Sequence, residues 1–337
     1  MRGSVRSFEV PRRRAVREFA KRRYHGARRR LRHWTNAWTD RRAKLLVVLY
    51  HRVLPEVLFN PFGATVSVAT FRRQLETLAR RFPVISLAQA SAQCRAGVAD
   101  AEVQIVLTFD DGYWDNYDIA FPLLQRMGLP AAFFVPTSYI ESRRPLWDWD
   151  LVTLLAARPE TDAVTAGPER LGRHPGESII GFALRVIDRL RGAERCVIEE
   201  ALASLNEALG SDPRPEEWRR GCMGWEEVAH LSRAGMEIGS HTCSHRSLLR
   251  LPLGEALDEI RQSKREIERR LNAPCAHFAF PFGSRTDQSP ALIDEVRAAG
   301  FDTCLLNSHG YNHVAQDGSG WKRIIMTEET PLQSLLG

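Results

Sequence analysis

Apolar residues fall along this chain in two alternating rhythms. One is the short unbroken run. Leu45-Leu46-Val47-Val48-Leu49-Tyr50 and Gln104-Ile105-Val106-Leu107-Thr108-Phe109 read as strands covered on both faces. Residues 131–135, 236–239, 277–280 and 301–306 read as further strands. The other rhythm has helical spacing: Phe71, Leu75, Leu78 and Phe82; Tyr117, Ala120, Leu124 and Met127; Leu257, Ile260, Ile267 and Leu271. A last helix runs from Leu292 to Ala299 and is stopped by Gly300. Strand and helix alternate from Lys44 onward, which predicts the α/β class and a parallel sheet, closed or open. Residues 141–222 break the rhythm. They are polar, helix-prone and rich in Arg, Glu and Pro, and read as an insertion on that sheet rather than a second domain.

Composition changes this picture mainly at one end. A chain of 337 residues with 44% apolar and 26% charged content suits one soluble α/β barrel enzyme. The net charge of +6 is unevenly spread. Residues 1–44 hold sixteen Lys or Arg against three acids, a net of +13, which leaves −7 on the remainder. Residues 1–43 thus form a basic arm on a mildly acidic body. With Phe8, Phe19, Tyr24, Trp34 and Trp38 among its arginines, the arm suits an anionic membrane surface, while a disordered solvated tail, or a start codon called too early, accounts for it more simply. Nucleic acid is the weaker partner, because the acidic body discourages extended phosphate contact.

No apolar core of a secretory signal precedes residue 30, and Arg12-Arg13 is not followed by an apolar stretch, so the expected location is the cytoplasm or the cytoplasmic face of the membrane. The longest early apolar run, Leu45 to Tyr50, is too short to span a bilayer. Six scattered cysteines form no CxxC pair and read as free thiols in a reducing compartment.

Chemistry-bearing residues cluster just after predicted strands, where parallel α/β folds place their sites. Thr108-Phe109-Asp110-Asp111-Gly112-Tyr113 puts two carboxylates at a strand end, one suited to a cation and one to a free base. Asp-Asp-Gly is also a common surface turn, but here a buried strand leads directly into it. Ser240-His241-Thr242-Cys243-Ser244-His245 spaces two imidazoles at i, i+4, which suggests one face of a helical turn and one divalent ion. Two His with one carboxylate leave positions open for water and substrate. Phe278-Ala279-Phe280-Pro281-Phe282-Gly283 taken alone is a strand and turn, and His51, closing the Leu45–Tyr50 strand, taken alone suits a core histidine.

Together, the TFDDGY and SHTCSH segments resemble motifs one and two of the polysaccharide deacetylase family, carbohydrate esterase family 4, with its NodB homology domain. Met223-Gly224-Trp225 and FAFPFG agree with the same family, and the resemblance covers roughly residues 44–330 of a catalytic domain read as 44–337, with the insertion at 141–222. It implies a distorted (β/α)7 barrel that removes N-acetyl groups from an N-acetylated sugar or polysaccharide with release of acetate. It implies Asp111, His241 and His245 as ligands of a divalent metal, usually zinc, with cobalt or nickel accepted. Asp110 is then the general base, and the backbone N–H of Tyr113 an oxyanion donor.

Two departures stand out. Motif three usually opens with an Arg that steadies the base; Ala279 stands in its place, and Arg323 is the candidate substitute. The usual late Leu-x-His motif is missing, while Leu49-Tyr50-His51 ends the first strand, so the order resembles the circularly permuted, exopolysaccharide-deacetylase-like branch with His51 as catalytic acid. His309 and His313 are reserves for that role, and Asp287 is a candidate for the fourth motif. A hydrolase of a non-sugar linear or cyclic amide, built on the same fold, is the alternative reading.

Overall fold

The computed structural model describes residues 44–332, apart from 210, 211, 213, 285 and 315–317. The basic arm, with its membrane and nucleic-acid readings, lies outside the described residues.

Among the described residues twelve strands follow in chain order: β1 Lys44–Tyr50, β2 Arg52–Leu54, β3 Thr65–Ser67, β4 Val103–Phe109, β5 Ala132–Val135, β6 Ala163–Ala166, β7 Glu169–Gly172, β8 Glu237–Ser240, β9 His277–Ala279, β10 Thr303–Leu305, β11 Asn312–His313 and β12 Arg323–Ile325. β1, β4, β5, β8, β9 and β10 lie side by side, all parallel. β12 flanks β1 on its other side, again parallel, through Val47↔Arg323 to Leu49↔Ile325. Trp321, just before β12, bridges to Leu305 of β10 and nearly closes the ring: its N–H donates to Cys304 O at 2.9 Å, and its carbonyl accepts from Leu306 N at 2.8 Å. Seven parallel strands therefore make the expected (β/α)7 barrel. Short β11 adds an antiparallel pairing at the start of β1.

The unbroken apolar runs follow from this closure. β1 and β4 are buried at every position because one face lines the barrel and the other lies under helices. Leu45, Val47, Val106, Ala132, Phe134, Leu305 and Trp321 share one apolar cluster inside, joined by Ile85, Leu87, Ala90 and Cys94 around the helix Leu87–Ala96. Leu46, Val48, Leu107 and Phe133 belong to the larger outer cluster. The helix Val68–Arg81 buries Phe71, Leu75 and Leu78 there, as its spacing predicts. On the helix Leu253–Leu271 the buried stripe runs through Ala256, Ile260, Ser263 and Ile267, leaving Leu257 and Leu271 half-buried. Tyr117 to Met127 is not one uniform helix: a wide π-type turn, Asn116–Ala120, runs into the helix Phe121–Met127.

Between β5 and β8 the chain forms the helices Trp147–Ala157, Ile179–Leu190, Arg195–Leu209 and Glu216–Arg219. It also forms the β6–β7 hairpin, which the polar pattern did not predict. This segment is less polar inside than its composition suggests. Nine of the eleven residues of Trp147–Ala157 are buried, and Leu151, Leu154, Phe182 and Val186 join the barrel's outer core. Among the described residues, no helix is long and apolar enough to cross a membrane.

Candidate active site

β4 delivers Asp110 and Asp111 to the end of the barrel where the strands finish. Asp111 takes a left-handed backbone (φ +76) and Gly112 another (φ +61), so the chain turns sharply and the adjacent carboxylates meet different partners. A Cβ on Gly112 would stand 2.9 Å from Ile140 Cδ1 and 3.3 Å from Val135 Cγ1, so only glycine fits the turn.

Asp111 faces the histidines. Its Oδ1 lies 3.3 Å from His241 Nε2 and 3.2 Å from His245 Nε2. The His pair does not sit on a helical turn, as its spacing suggests. It sits on an irregular loop after β8, in which Thr242 (φ +67) and His245 (φ +52) are left-handed. That backbone folds the two rings to a centroid separation of 5.1 Å. His241 Nδ1 donates to the carbonyl of Ala279 at 2.8 Å, which leaves the Nε2 lone pair facing Asp111. The His245 carbonyl accepts from Trp147 Nε1 at 2.9 Å, its ring packs 5.0 Å from Phe282, and Asp148 Oδ2 lies 3.8 Å from its Nδ1.

One carboxylate oxygen and two imidazole nitrogens, all buried and within 4.8 Å of one another, fit a divalent ion of the zinc type, and equally cobalt or nickel. Burial opposes ionisation of Asp111, but the bonds to His241 and His245 outweigh it and hold the carboxyl well below the usual range. Burial alone would lower His245; Asp148 and Asp111 reverse that and push it up to about 9.

Asp110 turns the other way. Arg323, fully buried at the start of β12, donates from Nη1 to Asp110 Oδ1 at 2.7 Å and from Nη2 to Oδ2 at 2.6 Å. Its Nε donates to Leu306 O at 3.1 Å. This fork-to-fork pair is the geometry arginine makes best. Burial raises the Asp110 carboxyl, but Arg323 and His241 prevail and keep it below its ordinary value. It is an anion at neutral pH, and its Oδ2 stands 3.9 Å from His241 Nε2.

His51 follows β1 directly. Asn116 Nδ2 donates to its carbonyl at 2.7 Å, and Asp115 fixes the next residues by accepting from Val53 N at 2.8 Å and Arg52 Nε at 2.9 Å. The wide π-type turn thus positions the strand end as well as continuing the chain. Burial lowers the His51 pKa; Asp111 and Asp110, close enough to act on it, raise it without offsetting that. Tyr113 follows the Asp-Asp-Gly turn, its ring buried under the Arg52 guanidinium at 4.7 Å, and its backbone bridges to Cys222.

The other candidates lie apart. His309 is exposed on the turn after β10. His313 in β11 pairs with Lys44, at the beginning of β1 rather than its end. Asp287 is buried, but its carboxylate is taken up by Ser247 Oγ at 2.9 Å and by Arg191 at 3.1 Å, and it tethers loops rather than joining the donor cluster. Sequence reasoning missed Asp148, Trp147, Phe282 and the Ala279 carbonyl. The dense string Trp147-Asp148-Trp149-Asp150 was the available signal for the first two; a backbone carbonyl leaves none.

Comparison with known proteins meets this geometry. The polysaccharide deacetylase family model matches residues 98–166 and 193–304, leaving out β1 with His51 and β12 with Arg323. YxkH of Bacillus subtilis, named for the same family, is 29% identical over 104 residues, which is 30% of this chain and 36% of that protein. The chain therefore matches about a third of that curated relative's length. The Streptococcus pyogenes deacetylase PplD, solved in complex with acetate, superposes with a TM-score of 0.58 at 15% identity, over 88% of this chain and 97% of its own. IcaB from Ammonifex degensii gives 0.57 at 17% identity, over 87% and 97%. At such identities the two structures speak for the fold, a NodB-type barrel. The family model's matched stretches include Asp110, Asp111, His241 and His245 and cover more than half of the sequence, and on that match the chain belongs to the polysaccharide deacetylase family.

Proposed function

We propose that this protein is a metal-dependent hydrolase that removes N-acetyl groups from an N-acetylated sugar or polysaccharide. The observation that carries the reading is the division of labour between neighbours: Asp111 joins two imidazoles, while Asp110 is held apart from them as an anion by Arg323. Asp111, His241 and His245 would hold the divalent ion, which when bound supplies Lewis-acid polarisation of the acetamide carbonyl.

Asp110 is placed to take a proton from the attacking water, and Arg323 keeps its carboxylate ionised and aimed. The backbone N–H of Tyr113, just after the sharp turn, is the candidate donor to the developing oxyanion. His51 enters neutral, because burial holds its pKa down. It becomes a donor to the departing amine only after taking up a proton during the reaction, and the negative charges of Asp110 and Asp111 favour that uptake. Acetate and a free amino sugar result. The position of His51 directly after the first strand, ahead of the Asp-Asp and His-His segments in the chain, is what supports the permuted order of motifs. Should the arm of residues 1–43 bind the cytoplasmic membrane face, lipid-linked or nucleotide-linked N-acetyl sugars are the accessible substrates.

The test is acetate release, with added zinc, from chitooligosaccharides, poly-N-acetylglucosamine fragments, and nucleotide- and lipid-linked N-acetyl sugars. The wild-type chain is compared with Asp110→Asn. Turnover should fall by roughly 10²–10⁴ in the variant, with metal binding kept. Substantial residual turnover would remove Asp110 from the role of base. Bound metal without release from any sugar would turn the assignment toward a non-sugar amide.

A further inference from the structure

We propose that Glu259 is a positioning residue for the metal centre, fixing the loop that carries both of its histidines; this rests on the metal-binding reading above. Glu259 comes from the helix Leu253–Leu271, which packs beside β8, and it is buried. Its Oε2 accepts two successive backbone N–H groups, from Cys243 at 2.8 Å and Ser244 at 2.9 Å. Its Oε1 accepts from Ser244 Oγ at 2.5 Å and Arg246 Nη2 at 3.2 Å. Cys243 and Ser244 are two of the three residues between His241 and His245, so one carboxylate grips the link joining the two imidazoles.

The grip answers a specific problem. The loop has left-handed residues at Thr242 and His245, a conformation that costs free energy for residues with a Cβ, and no helical hydrogen bonding to hold it. Successive N–H groups converging on one point form an anion-binding concavity, and Glu259 fills it from within the fold. The carboxylate is itself stable in a buried place because four donors meet it. Arg246 carries the tie outward: its Nε donates to Ser244 Oγ at 2.8 Å, its Nη1 to Ala193 O at 3.1 Å in the segment between β5 and β8, and its Nη2 to Glu255 at 2.5 Å. A small shift of the Cys243–Ser244 link would move both imidazoles relative to Asp111, and metal affinity depends steeply on such geometry.

Three variants of the full chain test this, each titrated in the metal-free form with Co²⁺ and Zn²⁺ against a chromophoric chelator. Thermal unfolding is followed in parallel. Glu259→Asp withdraws the acceptor by one methylene and should weaken metal binding by roughly 10–100-fold and alter the visible Co²⁺ spectrum. Glu259→Gln keeps a carbonyl oxygen where Oε2 stands; its affinity should stay within about threefold of wild type with an unchanged spectrum. Glu255→Gln breaks the outer pair with Arg246 only and should bind metal as wild type does. Wild-type affinity in folded Glu259→Asp overturns the proposal, as does an equal loss in Glu259→Gln. If Glu259→Asp does not fold, Ser244→Ala, which removes one donor to Glu259 Oε1, takes its place: weaker metal binding with an altered Co²⁺ spectrum supports the proposal, and wild-type affinity and spectrum overturn it. A wild-type chain that binds neither ion sinks the metal reading itself, a different outcome from binding that ignores residue 259.

Discussion

The two ends of the barrel are built on opposite terms. Where the strands begin, the interior is closed by Ile85, Leu87, Ala90 and Cys94, and the polar groups there serve local structure. Ser86 Oγ accepts from Gln89 N at 3.1 Å, and the Glu237 carboxylate accepts from Leu87 N and Ala88 N at 2.7 Å each, capping the same helix. Where the strands end, Asp110, Asp111, His241 and His245 are all buried, met by the buried Arg323 reaching up from the start of β12, and Asp111, Thr242, His245 and Phe282 have positive φ. The difference teaches where the fold tolerates strain and buried charge. Both are concentrated at the end that can do chemistry, and the opposite end supplies the stability that tolerates them.

Changes at each end should therefore have different signatures. The largest effect is expected from Arg323→Leu, which leaves Asp110 buried and unpaired. Unfolding free energy should fall by about 3–5 kcal/mol and acetate release should collapse with it; chemical denaturation and turnover measured on one preparation check this, and retained activity would separate Arg323 from the site. Glu237→Gln should be smaller and confined to stability, about 1.5–3 kcal/mol at neutral pH, with turnover of the folded enzyme unchanged.

Glu237 also fixes a pH signature. Burial raises its carboxyl, but His277, 3.7 Å away, and the Leu87 and Ala88 N–H groups outweigh this and hold it below the ordinary 4.5. Because the folded value is the lower one, its contribution is complete above about pH 4.5 and fades as pH falls through the folded value. Wild type and Glu237→Gln should thus converge in unfolding midpoint on acidification. A gap that persists well below pH 4 would assign the effect to packing instead. The smallest effect is expected from Ser86→Ala, about 1 kcal/mol from the lost cap and no change in kinetics. Loss of activity from either cap variant would erase the contrast between the ends.

How much of this the sequence disclosed follows from what each residue depends on. β1 and β4 were legible because burial on both faces demands unbroken apolar runs. Asp110, Asp111, His241 and His245 were legible as residue types in a pattern, and Arg323 as a candidate for what motif three lacks. The conformation of the His loop was not: a spacing of four residues fits a helical turn, and the bonds that hold it otherwise, His245 N to Thr242 Oγ1 within the loop and the backbone N–H groups of Cys243 and Ser244 to Glu259 outside it, cannot be read from the spacing. The β6–β7 hairpin escaped because each strand is only four residues long, and its alternating burial is carried by few apolar residues, Val164 and Ala166 in one strand and Leu171 in the other, too short a run to read as a strand. Asp148 escaped because its relation to His245 spans the barrel's long β5–β8 connection, and Ala279 acts through a carbonyl that every residue has.

The seam between β10 and β12 ties the timing of assembly to catalysis. Arg323 meets Asp110 across a sequence separation of 213 residues, and the strand that brings it also completes the ring beside β1. During synthesis from the N-terminus, β1 and β4 leave the ribosome long before their last neighbour exists. Until it arrives, β1 exposes an unpaired edge and Asp110 has no counter-ion. Such a long-range contact is slow to form, and the base cannot be steadied before the chain has been made as far as β12, so catalytic competence waits on the strand that completes the ring.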